Sequence, residues 1–187
     1  AEGDVQIGPP GKLAKLALDL DGIEERITLH TLALKQPQGD VQASGTLTLQ
    51  PDLAWQVQAS ASRLDPGQLF AGWNGALDFD IASQGSLPQD GLDATLEIRK
   101  LAGRLRDRAV SGHGKLHLSS SEVVDGRLDL ASGGSTVKLD ARPGSSNDAD
   151  LQLAIASLSD WLPDAGGRLD GHFKIRGRQP KLSVNGQ

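Results

Sequence analysis

The feature that most constrains this chain is an alternation of apolar and polar residues that runs almost from end to end. From Gly39 to Gln50, Val41, Ala43, Gly45, Leu47 and Leu49 alternate with Asp40, Gln42, Ser44, Thr46, Thr48 and Gln50. The next run repeats the pattern, with Leu53, Trp55, Val57, Ala59 and Ala61 on one side and Gln56, Gln58, Ser60 and Ser62 on the other. Successive side chains of a strand face opposite ways, so each run predicts a strand with one dry and one wet face. Pro51-Asp52 between them predicts a hairpin turn. Further runs carry Leu16, Leu18 and Leu20, then Ile27 and Leu29, with Leu32 and Leu34 after a one-residue slip that predicts a bulge. The pattern continues through Leu77, Phe79 and Ile81, through Leu92, Ala94, Leu96 and Ile98, and through Leu116 and Leu118. Leu128 and Leu130 follow, then Val137 and Leu139, Leu151, Leu153 and Ile155, then Leu169, Phe173 and Ile175, and last Leu182 and Val184. About a dozen strands of roughly 5 to 10 residues, joined by short turns, define an all-β antiparallel meander.

Only Leu64 to Phe70 and Ser157 to Leu162 break the alternation, as single-turn helices or wide loops, with Ser157 or Ser159 a candidate cap for the second. The two breaks echo one another. Leu69-Phe70, Gly75-Ala76-Leu77-Asp78 and Gly85 match Trp161-Leu162, Gly167-Arg168-Leu169-Asp170 and Gly177 at a constant offset of 92 residues. This suggests a repeated supersecondary unit, around 64–98 and 157–187, within a single unit 1–187.

A sheet of this size presents about thirty large apolar side chains on one face, each worth on the order of 1.5–3 kcal/mol when buried, so that face must be covered. A sandwich, a lipid-facing barrel and a curled trough around an oily ligand all satisfy the demand. The barrel is disfavoured because aromatics are 3% and Tyr is 0, whereas such barrels carry aromatic girdles. Leu, Val, Ala and Gly dominate the inward positions. Composition alone favours the sandwich and leaves the trough open.

The remaining chemistry is sparse. A net charge of -5 argues against a nucleic-acid partner, and with Cys 0 there are no disulfides and no thiolate metal sites. His113 and His117 share a strand face but lie roughly 13 Å apart, too far to chelate one metal. His30 and His172 have no evident partner in the sequence, and Asp78 with Asp80 and Asp19 with Asp21 read as surface carboxylates. No nucleophile elbow, Walker loop or zinc motif is present, so neither an enzyme nor a cofactor is expected. Arg99, Lys100, Arg104, Arg106 and Arg108 form the one charge cluster, either solvating a hairpin or meeting anionic headgroups or an acidic partner. No run approaches the roughly 20 apolar residues of a membrane-spanning helix, so any anchor is expected outside this stretch.

Several motifs in order resemble the TamB family. These are Trp55-Gln56-Val57, Leu64-Asp65-Pro66-Gly67, Trp73-Asn74-Gly75-Ala76-Leu77 and Gly85, then Leu158-Ser159-Asp160-Trp161-Leu162-Pro163, Gly167-Arg168-Leu169-Asp170-Gly171 and Gly177. Gln36-Pro37-Gln38-Gly39-Asp40, leading to Gly45-Thr46-Leu47, resembles the same repeats, while Pro180 sits one residue off the family spacing. The resemblance implies an internal or C-terminal-half piece of an AsmA-like, bridge-like lipid-transfer protein in the periplasm of a diderm bacterium. It implies an inner-membrane anchor elsewhere in the protein and an outer-membrane barrel partner, TamA. It selects the trough: a curved β-taco, apolar on its concave face and polar on its convex face. Its implied clients are phospholipid acyl chains and outer-membrane protein substrates. The alternatives are a scaffold that pairs nascent outer-membrane strands at its sheet edge, and a closed sandwich. The expected groove lining comprises the Leu, Ile, Val, Phe and Trp residues of these runs from Leu16 to Ile175, leaving out Leu32, Leu34 and Leu92.

Overall fold

A computed structural model describes residues 2–7, 14–89, 91–119, 122–142, 148–162, 165–178 and 181–186. The alternating runs become strands β1 (Glu2–Ile7), β2 (Ala14–Ile23), β3 (Arg26–Lys35), β4 (Asp40–Thr48), β5 (Leu53–Leu64), β6 (Gly75–Leu87) and β7 (Asp93–Leu105). These are followed by β8 (Arg108–Ser119), β9 (Glu122–Ser132), β10 (Ser135–Arg142), β11 (Asp148–Ile155), β12 (Leu169–Arg178) and β13 (Lys181–Gly186). All thirteen pair in chain order in one antiparallel sheet, and β1 and β13 form its two edges. The sheet is an open, curved, taco-like structure, not a closed sandwich or barrel.

Several strands are longer than expected, up to 13 residues, because bulges hide their continuation. In β7 the alternation falters after Ile98, but a register shift between Ile98 and Leu101 returns Leu101 to the face of Ile98. The slip before Leu32 is likewise a bulge, with Leu29 opposite Gly45 and Leu32 opposite Ala43.

The connections alternate between two long margins. One margin, the turn margin, carries the β2–β3, β4–β5 and β6–β7 connections. The other carries the two long connections, each with a 3-10 turn: Pro66–Gln68 after β5 and Leu158–Asp160 after β11. Both turns share one hydrogen-bond pattern, Phe70 and Leu162 donating to Pro66 and Leu158. They are capped differently. Asp65 accepts from the Gly67 N–H at 2.9 Å and from the Gly75 N–H at 2.9 Å. Ser157, one of the two expected caps, makes no capping bond; its hydroxyl lies 2.7 Å from that of Ser159, which sits inside the turn. The Arg106–Asp107 hairpin tip, with φ of 52° and 64°, projects from this same margin between the two long connections. Arg106 donates from Nη1 to the Ser159 carbonyl at 3.0 Å and stacks 5.8 Å above Trp73, so it bridges both connections.

Candidate functional site

Directly opposed residues of neighbouring strands share a face, so the pairing register shows what that face carries. One row runs Gly3, Leu18, Leu32, Ala43, Ala59, Ile81 and Ile98. It continues through Gly114, Leu128, Leu139, Leu151, Phe173 and Gly186. It crosses every strand without one polar side chain. A parallel row runs Val5, Leu16, Leu34, Val41, Ala61, Phe79 and Leu101, then Gly112, Leu130, Val137, Leu153 and Gly171. On the other side Leu20, Leu29, Gly45, Val57, Ser83, Leu96 and Leu116 lead to Gly126, Ala141, Ala149, Ile175 and Val184. Ser83, the one polar member there, accepts a hydrogen bond from Trp55 Nε1 at 3.0 Å, which masks its hydroxyl. Gly85 makes room for that indole: a Cβ there would lie 2.6 Å from Trp55 Cζ2.

The expected lining residues therefore share one face. Ile27, Leu47, Trp55 and Leu118 form a shorter row towards the turn margin, and Leu77 and the Ile155–Leu169 pair lie towards the other. Leu49 falls just past the end of β4 and is 41% exposed. Leu32, Leu34 and Leu101 belong to the same face but were absent from the expected lining, because bulges disturb the alternation around them.

Among the described strand residues burial is confined to this face. The buried apolar residues Ala14, Leu34, Ala94, Leu116, Ala141, Ala149 and Ile155 all lie on it, so it is the inner face. Yet the largest side chain less than 2% exposed is Ser135. A two-layer core would enclose Leu, Ile and Phe completely. Most of the lining is instead half-exposed, and Val57 is 38% exposed. Curvature is strongest at β9–β12, where β9 comes within 8 Å (Cα to Cα) of both β11 and β12. In a flat sheet the third strand along would lie roughly 14 Å away. Gly126, Ala141 and Ala149, successive in one row, are small enough to allow this curl.

The outer face is polar, and over β3–β8 it is hollowed into a basin of about 510 Å³ lined by residues such as Thr28, Thr46, Gln56, Gln84 and Lys115. Its lining is mixed, with Leu29, Val57 and Ala82 beside the polar and charged groups. All four histidines lie on this face beside a cross-strand aspartate: His30–Asp21 at 3.0 Å, His113–Asp129 at 3.8 Å, His117–Asp93 at 3.1 Å and His172–Asp150 at 2.7 Å. His30 and His172 thus have partners that chain distance concealed. Among the described residues no group of His, Asp or Glu could hold a metal ion.

The basic cluster divides. Arg99 pairs with Asp80 at 3.2 Å and Lys100 with Asp78 at 3.4 Å, whereas Arg106 and Arg108 reach Ser159. The Arg63 backbone N–H, with Lys100 in support, holds the Asp78 carboxyl below its usual range. The His172 hydrogen bond does the same for Asp150, and Arg127 with Arg142 for Asp140.

An open antiparallel trough, oily within and polar without, defines a class of elongated β-groove scaffolds. A family model described as TamB, N-terminal domain, matches residues 7–187, and the chain belongs to the TamB family. No solved structure matches the chain. Among the described residues no helix is long and apolar enough to cross a membrane.

Proposed function

We propose that the inner face is a groove for phospholipid acyl chains, and that the chain supports lipid movement between the inner and outer membranes and, through it, outer-membrane protein assembly. The observation that carries this reading is the apolar row from Gly3 to Gly186, unbroken across thirteen strands and left half-open. At about 4.8 Å per strand the row spans roughly 60 Å along the sheet, longer than one lipid. Each acyl methylene kept from water contributes roughly 0.8 kcal/mol, so a continuous dry path removes the main barrier to crossing an aqueous space. A lining of Leu, Ile, Val and Ala has no directional bonds and favours sliding over tight capture. Headgroups project from the open mouth into water. The periplasm, an anchor outside this stretch and a TamA-type barrel partner follow from family membership under the same reading, and no catalytic role is part of it.

A second reading draws on the outer edges of β1 and β13, which carry no strand in the described sheet and could pair with nascent outer-membrane strands. Mass spectrometry of solvent extracts from the purified chain separates the two. Co-purified phospholipid, reduced in folded Ile98→Asp and Phe79→Asp variants, is the expected result. A protein free of lipid after purification from membranes would overturn the groove and leave edge pairing.

A further inference from the structure

Beside the two long connections the oily face carries something the rest of it lacks. Ser135, 0% exposed, and Ser132, 4% exposed, are the buried polar residues among those described. They are paired with each other, and Ser132 lies opposite Val110, so both face the trough. The chain that leaves β11 covers them. The Ser135 hydroxyl accepts the Ala156 N–H at 3.0 Å, and a Cβ placed on Gly134 would meet the Ala156 Cβ at 3.4 Å. Arg108 stands two residues before Val110 in β8 and so faces inward as well. Its Nη2 donates to the Ser159 hydroxyl at 3.2 Å. Residues 156–162 therefore pass from β11 back towards β8 on the inner side, past β10 and β9. In a flat sheet that reach is roughly 14 Å. The segment is a strap laid over this margin of the trough.

The strap hangs on a fixed post. The Arg106 N–H donates to the Asn74 carbonyl at 2.7 Å, and its guanidinium lies 5.8 Å from the centre of the Trp73 ring. Both contacts hold the β7–β8 tip to the β5–β6 connection. From there Arg106 Nη1 reaches the Ser159 carbonyl at 3.0 Å. Two arginines thus grip one residue of the strap, at its carbonyl and at its hydroxyl.

The β5–β6 connection is secured differently. Asp65 accepts from the Gly67 and Gly75 N–H groups and from Gln68 Nε2, and Gln36 bonds both the N–H and the carbonyl of Asp65. The strap has only the single 3-10 turn Leu158–Asp160, without a side-chain cap. Its first N–H rests on a hydroxyl, a bond that water replaces when the strap lifts. Further along, Trp161 Nε1 is buried with no acceptor among the described residues. A buried unpaired donor costs free energy that opening recovers. A segment outside the ladders, held by a few polar contacts, opens without unfolding the sheet.

We propose that residues 156–162 are a gate strap across the trough at β8–β10, latched shut by Arg106 and Arg108 on Ser159 and released as a local unit. That the gate controls acyl chains rests on the groove reading; the latch does not.

Amide hydrogen exchange followed by NMR on the 187-residue chain tests the latch. In Arg106→Gln/Arg108→Gln the Ala156 amide should exchange about tenfold faster, while the amides of the β10–β11 ladder keep their rates. Ser159→Ala, a smaller change that spares the carbonyl held by Arg106, should accelerate Ala156 less. An unchanged Ala156 rate in both variants, or an equal rise throughout the β10–β11 ladder, would overturn the strap. Uptake of pyrene-labelled phosphatidylcholine from vesicles tests the gate. The unlatched chain should load about tenfold faster and to the same final level. Equal loading rates with Ala156 exchange raised would overturn the gating. If neither chain takes up lipid while Ala156 still responds, the groove reading fails and the latch stands.

Discussion

The stretch β3–β8 and the stretch β9–β12 have the same alternating sequence and opposite shapes. In the first, register shifts interrupt the β3–β4, β5–β6, β6–β7 and β7–β8 ladders, and one more lies where β8 meets β9. In the second, the three ladders from β9 to β12 run without a shift. Bulges add local twist and bend single strands, which spreads the sheet and hollows its outer face. Regular ladders with Gly126, Ala141 and Ala149 on the inside let the sheet roll towards its oily side. Trough width therefore follows from inner side-chain volume and from where the bulges fall, and the number of apolar residues does not set it.

The largest contrast should come from a charge placed on the inner wall. Leu139→Asp, in the curl, should cost about 2–4 kcal/mol in urea unfolding, because the carboxylate would lie between Leu128 and Leu151 on the apolar face. Val57→Asp, 38% exposed in the open stretch, should cost less than about 1 kcal/mol. Equal costs would mean that the two stretches are equally closed.

Overfilling gives a smaller contrast. Ala149, 3% exposed, has no room to grow, so Ala149→Leu should cost about 1–3 kcal/mol by forcing the curl apart. Ala59→Leu, half-exposed in the open stretch, should stay within about 0.5 kcal/mol. Thermal melts of the two variants would sharpen the link between inner volume and curvature.

Acid should have the smallest effect. The carboxyls of Asp140 and Asp150 in the curl, of Asp78 in the open stretch and of Asp21 in β2 beside it are held below their usual range by Arg127, His172, the Arg63 N–H and His30 respectively. Lowered folded values mean that their contribution is complete above the ordinary carboxylate range, about pH 4, and is lost as pH falls through the lowered values. These groups are exposed, so Tm should drift only slightly downward below about pH 4. Arg127→Gln should reduce the drift, and an unaltered slope would show that the Asp140 pairing contributes nothing to it.

Strand identity and facing were legible in the sequence because period two is a local signal. The bulge before Leu32 was legible too, since alternation resumes clearly on both sides of it. The bulge after Ile98 was not, because Arg99 and Lys100 look like the end of a strand and Leu101 then seems to lie on the wrong face. Curvature was out of reach for a different reason: it depends on Gly126, Ala141 and Ala149 falling opposite one another, and register between strands is not written in spacing along one strand. The partners of His30 and His172, and the reach of Arg106 to Ser159 over 53 residues, are likewise products of the assembled sheet. Ser159 was expected only as a cap.

The most direct test of an open, dry inner wall uses Trp55, which lies on it, as a fluorescent reporter. In a Trp73→Phe/Trp161→Phe background, phospholipids brominated along the acyl chain should quench Trp55 strongly, and unbrominated lipids should not. If brominated lipid binds the chain and leaves Trp55 emission unchanged, the hydrocarbon lies elsewhere and the groove account is contradicted.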